Sequence, residues 1–384
     1  GEKNGTVTNS ERRISRQRAF LPVPGAARPD WQIICDVARE MGFGAAFDFD
    51  SPACVFREYA ELSAALTQFG RDFDISGLAH ISDADYASFE PTQWPIPKQK
   101  GAGGRFFEDG GFYHPDGRAR MLPISAPLAQ VANGYQLNTG RIRDQWHTMT
   151  RTGKSARLGA HMAEPYVELH PDDARHLEVG AAELIEVEGA GHRSLLRALP
   201  TDRVAKGALF APMHWTRQRN ASGPVNAVVH TRVDPVSGQP ALNSGRVSAR
   251  RFDAAWYGFV ASADPIRQYG AYCAVARTAT GWQAEVADAR PLSDALAAFK
   301  VLTSAQGGEF IEMQDGTAGL VRVAHRVEGT LSAVMFCAPA PVAVSRAHAI
   351  ALIGTDAEVS DALSGRARGT TADPGATVCA CMGV

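Results

Sequence analysis

The side chains with the most chemistry gather between Leu137 and Gly153, in the run LNTGRIRDQWHTMTRTG. Arg141, Arg143 and Arg151 are forked donors, Thr139, Thr148, Thr150 and Thr152 carry hydroxyls, and Asn138 and His147 add further polar groups. Gly140 and Gly153 allow the backbone to approach a ligand closely. From Arg141 to Arg157 five Arg or Lys stand against one acid, Asp144, a local charge of +4 in a chain of net charge −2. Such a set suits an anionic, planar, hydrogen-bonding ligand, for example a phosphate joined to a heterocycle. Charge alone would equally describe a solvated basic loop. Leu137, Trp146 and Met149, interleaved with the charges, argue against that, because solvated loops rarely carry a tryptophan. The run follows neither a strand nor a helix period and reads as a loop.

Other candidate groups are sparser. Cys379 and Cys381, in the terminal VCACMGV, have the form of a half-site for a metal or cluster, since two thiolates on one loop can reach one iron or two adjacent irons. Cys35, Cys54, Cys273 and Cys337 stand singly in apolar contexts and read as small buried hydrophobes. Six cysteines in 384 residues are not a disulfide framework. The net charge gives no reason to propose nucleic acid or a membrane surface as partner, and no apolar run reaches the length of a membrane span. The chain lacks an initiating Met and opens inside a motif, which reads as a piece of a longer protein.

The elements that would position these groups follow from pattern and punctuation. Residues 1–20 read as a basic loop with a turn at Gly5, a short extended piece and a turn at Asn9-Ser10. Asp30 is expected to cap a helix over Trp31–Met41, and Ser51-Pro52 to start a second over Ala53–Phe69 that Gly70 ends. These helices cannot bury both faces alone, so residues 1–97 read as the end of an α/β domain whose sheet lies upstream. Residues 98–122 read as a linker and a β-hairpin with turns at Asp109-Gly110 and Asp116-Gly117. Residues 123–252 read as mainly β, with strands at Leu128–Leu137, Tyr166–His170, Leu184–Glu188, His192–Ala198, Leu209–Met213 and Leu242–Arg250 and a short helix from Pro171. The spacing alone supports a small barrel or sandwich. In 253–372, helices are expected at Asp264–Ala274, Leu292–Leu302, Ser345–Leu352 and Asp356–Leu363. Strands are expected at Glu309–Gln314, Gly319–Arg326 and Leu331–Cys337. Residues 364–375 read as a linker.

LNTGRIRDQWHTMTRTG resembles the opening of the C-terminal cofactor domain of the molybdopterin oxidoreductases, the dimethyl-sulfoxide-reductase superfamily. The run QWHTMTRTG is most similar to the bacterial assimilatory nitrate reductases. Four other runs carry the same resemblance: EKNGTVTNSERR from Glu2, PMHW at 212–215, the polar stretch reaching Asn226, and DPVSGQP at 234–240. The resemblance implies an α/β remnant, then a double-psi β-barrel (the molybdopterin dinucleotide-binding domain) over 123–252, and a smaller α+β C-terminal module over 253–372. It implies that Thr139, Gly140, Arg141, His147, Thr148, Met149, Thr150 and Arg151 contact a Mo-bis(molybdopterin guanine dinucleotide) cofactor. His214, Trp215, Asn226, Asp234 and Gln239 would lie near the pterin or its guanine, and Asn9, Glu11 and Arg12 would be pterin or funnel contacts. Cys379 and Cys381 resemble the start of a bacterioferritin-associated-ferredoxin-like [2Fe-2S] domain over 373–384, whose second cysteine pair is missing. The molybdenum ligand and the [4Fe-4S] cysteines would lie upstream, leaving this chain inactive alone. The implied activity is cytoplasmic reduction of nitrate to nitrite, with electrons from ferredoxin, flavodoxin or an NADH-dependent reductase subunit. Another member of the superfamily, such as a formate dehydrogenase, and a non-catalytic scaffold that kept the barrel are the alternatives.

Overall fold

The structure is a computed structural model that describes residues 1–70, 72–99, 104–123, 134–235, 237–243 and 245–367. The chain divides into two compact units, 1–127 and 128–384. Cys379 and Cys381, the Gly101–Gly103 run and the first half of the strand expected at Leu128–Leu137 lie outside the described residues.

The first unit carries a sheet of its own. Strands β1 (Gly5–Thr8) and β2 (Arg13–Gln17) form an antiparallel hairpin, and β3 (Thr92–Gln93) pairs antiparallel with β2. Helices α1 (Asp30–Glu40), α2 (Pro52–Leu66) and α3 (Asp83–Ala87) accompany it. Ser51 Oγ accepts from Cys54 N at 3.3 Å, Pro52 opens the first turn of α2, and Gly70 at φ +68° closes the one-turn extension after it. Asp30 lies inside the first turn of α1 rather than capping it, because Pro29 occupies the cap position. Ile14, Phe56, Ala60, Ile75 and Tyr86 form the core. Ile33, Ile34 and Val37 of α1, and Met41 just after it, stay exposed. The hairpin expected at 105–122 does not form. Asp109 and Asp116 close the expected turns by accepting from the backbone N–H of Gly111 and Arg118, at 2.9 and 3.1 Å. The flanking residues make no ladder: the segment is too rich in Gly and Asp to supply two alternating strand faces.

In the second unit six strands close into a barrel. They are β4 (Tyr135–Gly140), β5 (Tyr166–Leu169), β6 (Leu184–Gly189), β7 (His192–Pro200), β8 (Ala208–Pro212) and β9 (Gly245–Arg251), in the closed order β4-β8-β5-β7-β6-β9. The pairs β4–β8 and β5–β7 are parallel and the others antiparallel, the mixed closed barrel that the cofactor-domain resemblance implied. Leu137, Val167, Leu169, Ile185, Val187, Leu196 and Leu209 fill it. Short helices α4 (Ala156–Gly159) and α5 (Pro171–His176) join strands, and buried Asp173 of α5 accepts from Gly207 N at 2.7 Å.

A second sheet follows, with β10 (Trp256–Ser262), β11 (Tyr272–Arg277), β12 (Trp282–Asp288), β13 (Glu309–Asp315), β14 (Leu320–Val327) and β15 (Thr330–Ala338) in the antiparallel order β11-β12-β10-β15-β14-β13. Helix α6 (Ala295–Thr303) covers one face, where Val260, Cys273, Val286, Phe299 and Met335 meet. Helices α7 (Arg346–Leu352) and α8 (Val359–Ser364), together with the barrel residues Leu184 and Leu195, cover the other, where Tyr257, Phe259, Tyr272 and Phe336 meet. The helix expected at Asp264–Ala274 is instead a loop leading into β11. Pro265 lies near its start, Gly270 has φ +81°, and Tyr272–Ala276 is wholly buried as a strand.

An ion network ties the sheet to the barrel. Arg197 of β7 binds Glu164 at 2.7 Å and Glu285 of β12 at 3.4 Å, and Arg346 of α7 binds Glu285 at 2.5 Å. Tyr272 Oη donates to Glu164 at 2.6 Å. Burial works against the charge of Arg197, but Glu164 and Glu285 together hold it firmly protonated; burial drives the Tyr272 phenol well above its usual range.

Candidate functional site

The parallel pairing of β4 and β8 places the segments that follow them side by side. Gly140 closes β4, and its carbonyl accepts from Met213 N at 2.9 Å just beyond β8. Antiparallel pairing with β4 brings the start of β9 to the same end, and buried Thr139 donates its hydroxyl to Leu242 O at 3.1 Å. Residues 141–153, 213–216 and 242–243 therefore converge at one end of the barrel.

His214 fastens the first of these segments. It is fully buried; its Nε2 accepts from Ile142 N at 3.0 Å and its Nδ1 donates to His147 O at 2.7 Å. Burial pushes its pKa down, opposed by the hydrogen bond to His147, so the ring is neutral in the tautomer those bonds require. At the second anchored group and just beyond it the chain takes a tight path, with His147 at φ +43° and Met149 at φ +61°. Left-handed backbone at two non-glycine residues is a strained arrangement that the surrounding packing must hold. Met149 is buried beneath the loop, and Thr152 bridges Gln145 Oε1 at 2.8 Å and Trp146 N at 3.2 Å. Asp144 is held ionised, first by its hydrogen bond to Arg143; its carboxylate meets Arg143 at 2.8 Å and His161 at 2.5 Å.

What remains on the outer side of the loop is a set of unspent donors. Arg141, Thr148, Thr150 and Arg151 are exposed, and their side chains make no hydrogen bond among the described residues. Arg141 stacks over exposed Trp146 at 5.2 Å, and the Trp146 and His147 rings lie edge to face at 4.4 Å. Trp215 is buried, and its indole N–H has no partner among the described residues. A buried orphan donor is uncommon and fits a site that a ligand completes.

Not all the expected contacts come together. His214 has both ring nitrogens engaged within the protein, so it shapes the loop and has no group left for a ligand. Asn226 is exposed on the one-turn helix Val225–Val228, and Gln239 is exposed in a turn where Asp234 N donates to Gln239 O at 2.8 Å. In the first unit, Asn9 Oδ1 accepts from Glu11 N at 3.0 Å and Arg13 N at 3.1 Å, shaping the β1–β2 turn. Glu11 Oε2 takes Arg13 at 3.4 Å, and Arg12 spends its guanidinium on Trp94 O at 2.7 Å and Gly104 O at 2.6 Å while stacking on Phe106. Arg219 was missed. Its guanidinium lies against Gly153, where an added Cβ would meet Nη2 at 2.8 Å. It is half-buried with no acidic partner among the described residues, and burial lowers its pKa. Its only sequence signal was the basic pair in RQRN, directly after the HW run.

Comparison with known proteins bears on this barrel end directly. Residues 135–246 match the molydopterin dinucleotide binding domain, and residues 1–40 match the molybdopterin oxidoreductase domain. The chain therefore carries two domains of the molybdopterin oxidoreductases. A nitrate reductase of Klebsiella oxytoca is 42% identical over 270 residues, 69% of this chain and 31% of that protein. The assimilatory nitrate reductase catalytic subunit of Bacillus subtilis (strain 168) is 31% identical over 251 residues, 62% of this chain and 33% of that protein. A formate dehydrogenase subunit alpha of Methanocaldococcus jannaschii is 27% identical over 254 residues, 65% of this chain and 35% of that protein. The chain spans about a third of the length of these curated relatives. Of the described residues, no helix is long and apolar enough to cross a membrane.

Proposed function

We propose that this chain is the C-terminal part of a molybdenum-dependent nitrate reductase and that its barrel holds the Mo-bis(molybdopterin guanine dinucleotide) cofactor. The observation that carries the binding reading is the unspent donor set of Arg141, Thr148, Thr150 and Arg151, together with the orphaned indole N–H of Trp215 in the segment after β8. A pterin–guanine dinucleotide offers phosphate oxygens to guanidinium forks and ring edges to hydroxyl, amide and indole groups, so the residues present fit it. Arg141 and Arg151 take phosphate, Thr148, Thr150 and the backbone near Gly140 take ring edges, and Trp215 donates from beneath. Arg219, pressed on Gly153, adds positive potential to the loop. His214 and Thr139 hold the frame in which those donors are presented.

The bound metal would supply oxygen-atom transfer, converting nitrate to nitrite with two electrons and two protons and release of water. This chain's residues bind and orient the cofactor and tune it through hydrogen bonds without touching the metal. The choice of nitrate rests on the higher identity to proteins named nitrate reductase than to the formate dehydrogenase subunit. Nitrate assimilation in the cytoplasm, electron supply by ferredoxin, flavodoxin or an NADH-dependent subunit, a [4Fe-4S] cluster upstream and a [2Fe-2S] domain beginning at Cys379 and Cys381 complete the proposal. The test is nitrate-dependent oxidation of reduced viologen by the full-length parent. Turnover with nitrate, and no viologen reduction by formate, supports the reading; formate-driven reduction without nitrate turnover favours a formate dehydrogenase.

A further inference from the structure

Between the barrel and the second sheet lies a cavity of about 990 Å³. Its inner guanidinium groups, Arg197 and Arg346, are matched by Glu164 and Glu285. Two further lining arginines are not. Arg157 on α4 and Arg277 at the end of β11 are exposed and have no carboxylate partner among the described residues. Four arginines against two glutamates leave the lining at +2. The two unmatched arginines come from adjoining elements, since an added Cβ on Gly159 would lie 3.6 Å from Arg277 O. The rest of the wall is apolar, including Met162, Leu199, Pro341 and Ile350.

A pocket of this size with an apolar wall and a few convergent polar groups is the usual form of a small-molecule site. Arg277 stacks over Trp282 at 5.1 Å, but a neutral apolar ligand would leave both guanidinium groups without an anion, and an inorganic ion would leave the apolar wall wet. We propose that the cleft binds a small organic anion, a carboxylate or phosphate on an apolar body, with Arg157 and Arg277 as its clamp. The proposal is independent of the cofactor reading. The cleft nevertheless borders the cofactor loop, because His161 in its wall meets Asp144 at 2.5 Å.

The test uses anilinonaphthalene sulfonate, a fluorescent amphipathic anion, titrated into the folded chain and into the full-length parent, with octanoate and octanol as competitors. The expected result is one saturable site in both proteins, displaced by octanoate and poorly by octanol. Changing Arg157→Gln and Arg277→Gln together should weaken binding by roughly tenfold or more, since each charge-assisted bond contributes about 1.5 kcal/mol or more. Both residues are exposed, so an unchanged circular dichroism melt would separate loss of binding from loss of fold. Ala160→Trp, which fills the cleft without altering its charge, should abolish the site. Equal affinity in the double variant, equal displacement by octanol, non-saturable binding, or absence of the site in the parent, where other parts of the protein would fill the cleft, would each overturn the proposal.

Discussion

Replacing His214 by alanine should free the loop from Ile142 to His147 before it unfolds the barrel. The ring makes two hydrogen bonds, accepting from Ile142 N at 3.0 Å and donating to His147 O at 2.7 Å, and is fully buried. Removing it strands one backbone N–H and one C=O, at about 1 to 3 kcal/mol each, or about 2 to 6 kcal/mol together. A local opening that can solvate both groups relieves most of that cost, and the strained backbone at His147 and Met149 favours opening. Amide hydrogen exchange read by mass spectrometry on peptides covering 141–153 is the assay. Exchange there should accelerate by at least about tenfold, since 1.4 kcal/mol is a factor of ten, while peptides from β5 to β7 change far less. His214→Asn keeps a donor for His147 O and should restore part of the protection; His214→Leu should not. Unchanged exchange over 141–153 in the alanine variant would refute the reasoning, because the ring would then not be what holds the loop.

Four further outcomes follow from the same structure. The lowered pKa of His214 means that its contribution to stability is complete above its unfolded value near 6.5 and is lost as pH falls through the folded value; protection over 141–153, taken relative to the intrinsic exchange rate at each pH, should fall on acidification below that point, and should not in His214→Asn. Glu285→Ala leaves half-buried Arg346 without a carboxylate and buried Arg197 with Glu164 alone, and should cost about 1 to 3 kcal/mol, measured by urea unfolding. Gly140→Ala would place a Cβ 2.6 Å from the Phe210 ring and should lower stability by about 1 to 3 kcal/mol, visible as a reduced Tm. Arg141→Gln with Arg151→Gln touches only exposed side chains and should leave Tm nearly unchanged while lowering the molybdenum retained by the purified parent.

The barrel was legible because its strands obey simple rules. Leu184–Glu188 alternates, a Gly-Ala-Gly turn follows and His192–Ala198 returns, and Pro171 with two acids marks the helix between strands. The loop at 141–153 was legible from composition, since few other structures call for that many donors around a tryptophan. The second sheet was harder. Strand β11 is buried on both faces, so its run YCAVAR carries no alternation, and the Pro265 region was misread as a helix. The role of His214 was invisible in sequence, because a buried histidine bonded twice to backbone looks the same on paper as a ligand contact. The Arg197–Glu164–Glu285–Arg346 network joins residues more than 180 positions apart at its extremes, Glu164 and Arg346. No local pattern can announce such a contact.

The central claim is that this barrel end holds a pterin–guanine dinucleotide, and cofactor content tests it most directly. Molybdenum would be measured in the purified full-length parent by mass spectrometry, alongside the guanine nucleotide released by acid hydrolysis. The account predicts molybdenum together with guanine nucleotide, both depleted by the Arg141→Gln, Arg151→Gln double change. A parent that turns over nitrate with neither molybdenum nor guanine nucleotide, or with both undiminished in the double variant, would contradict it.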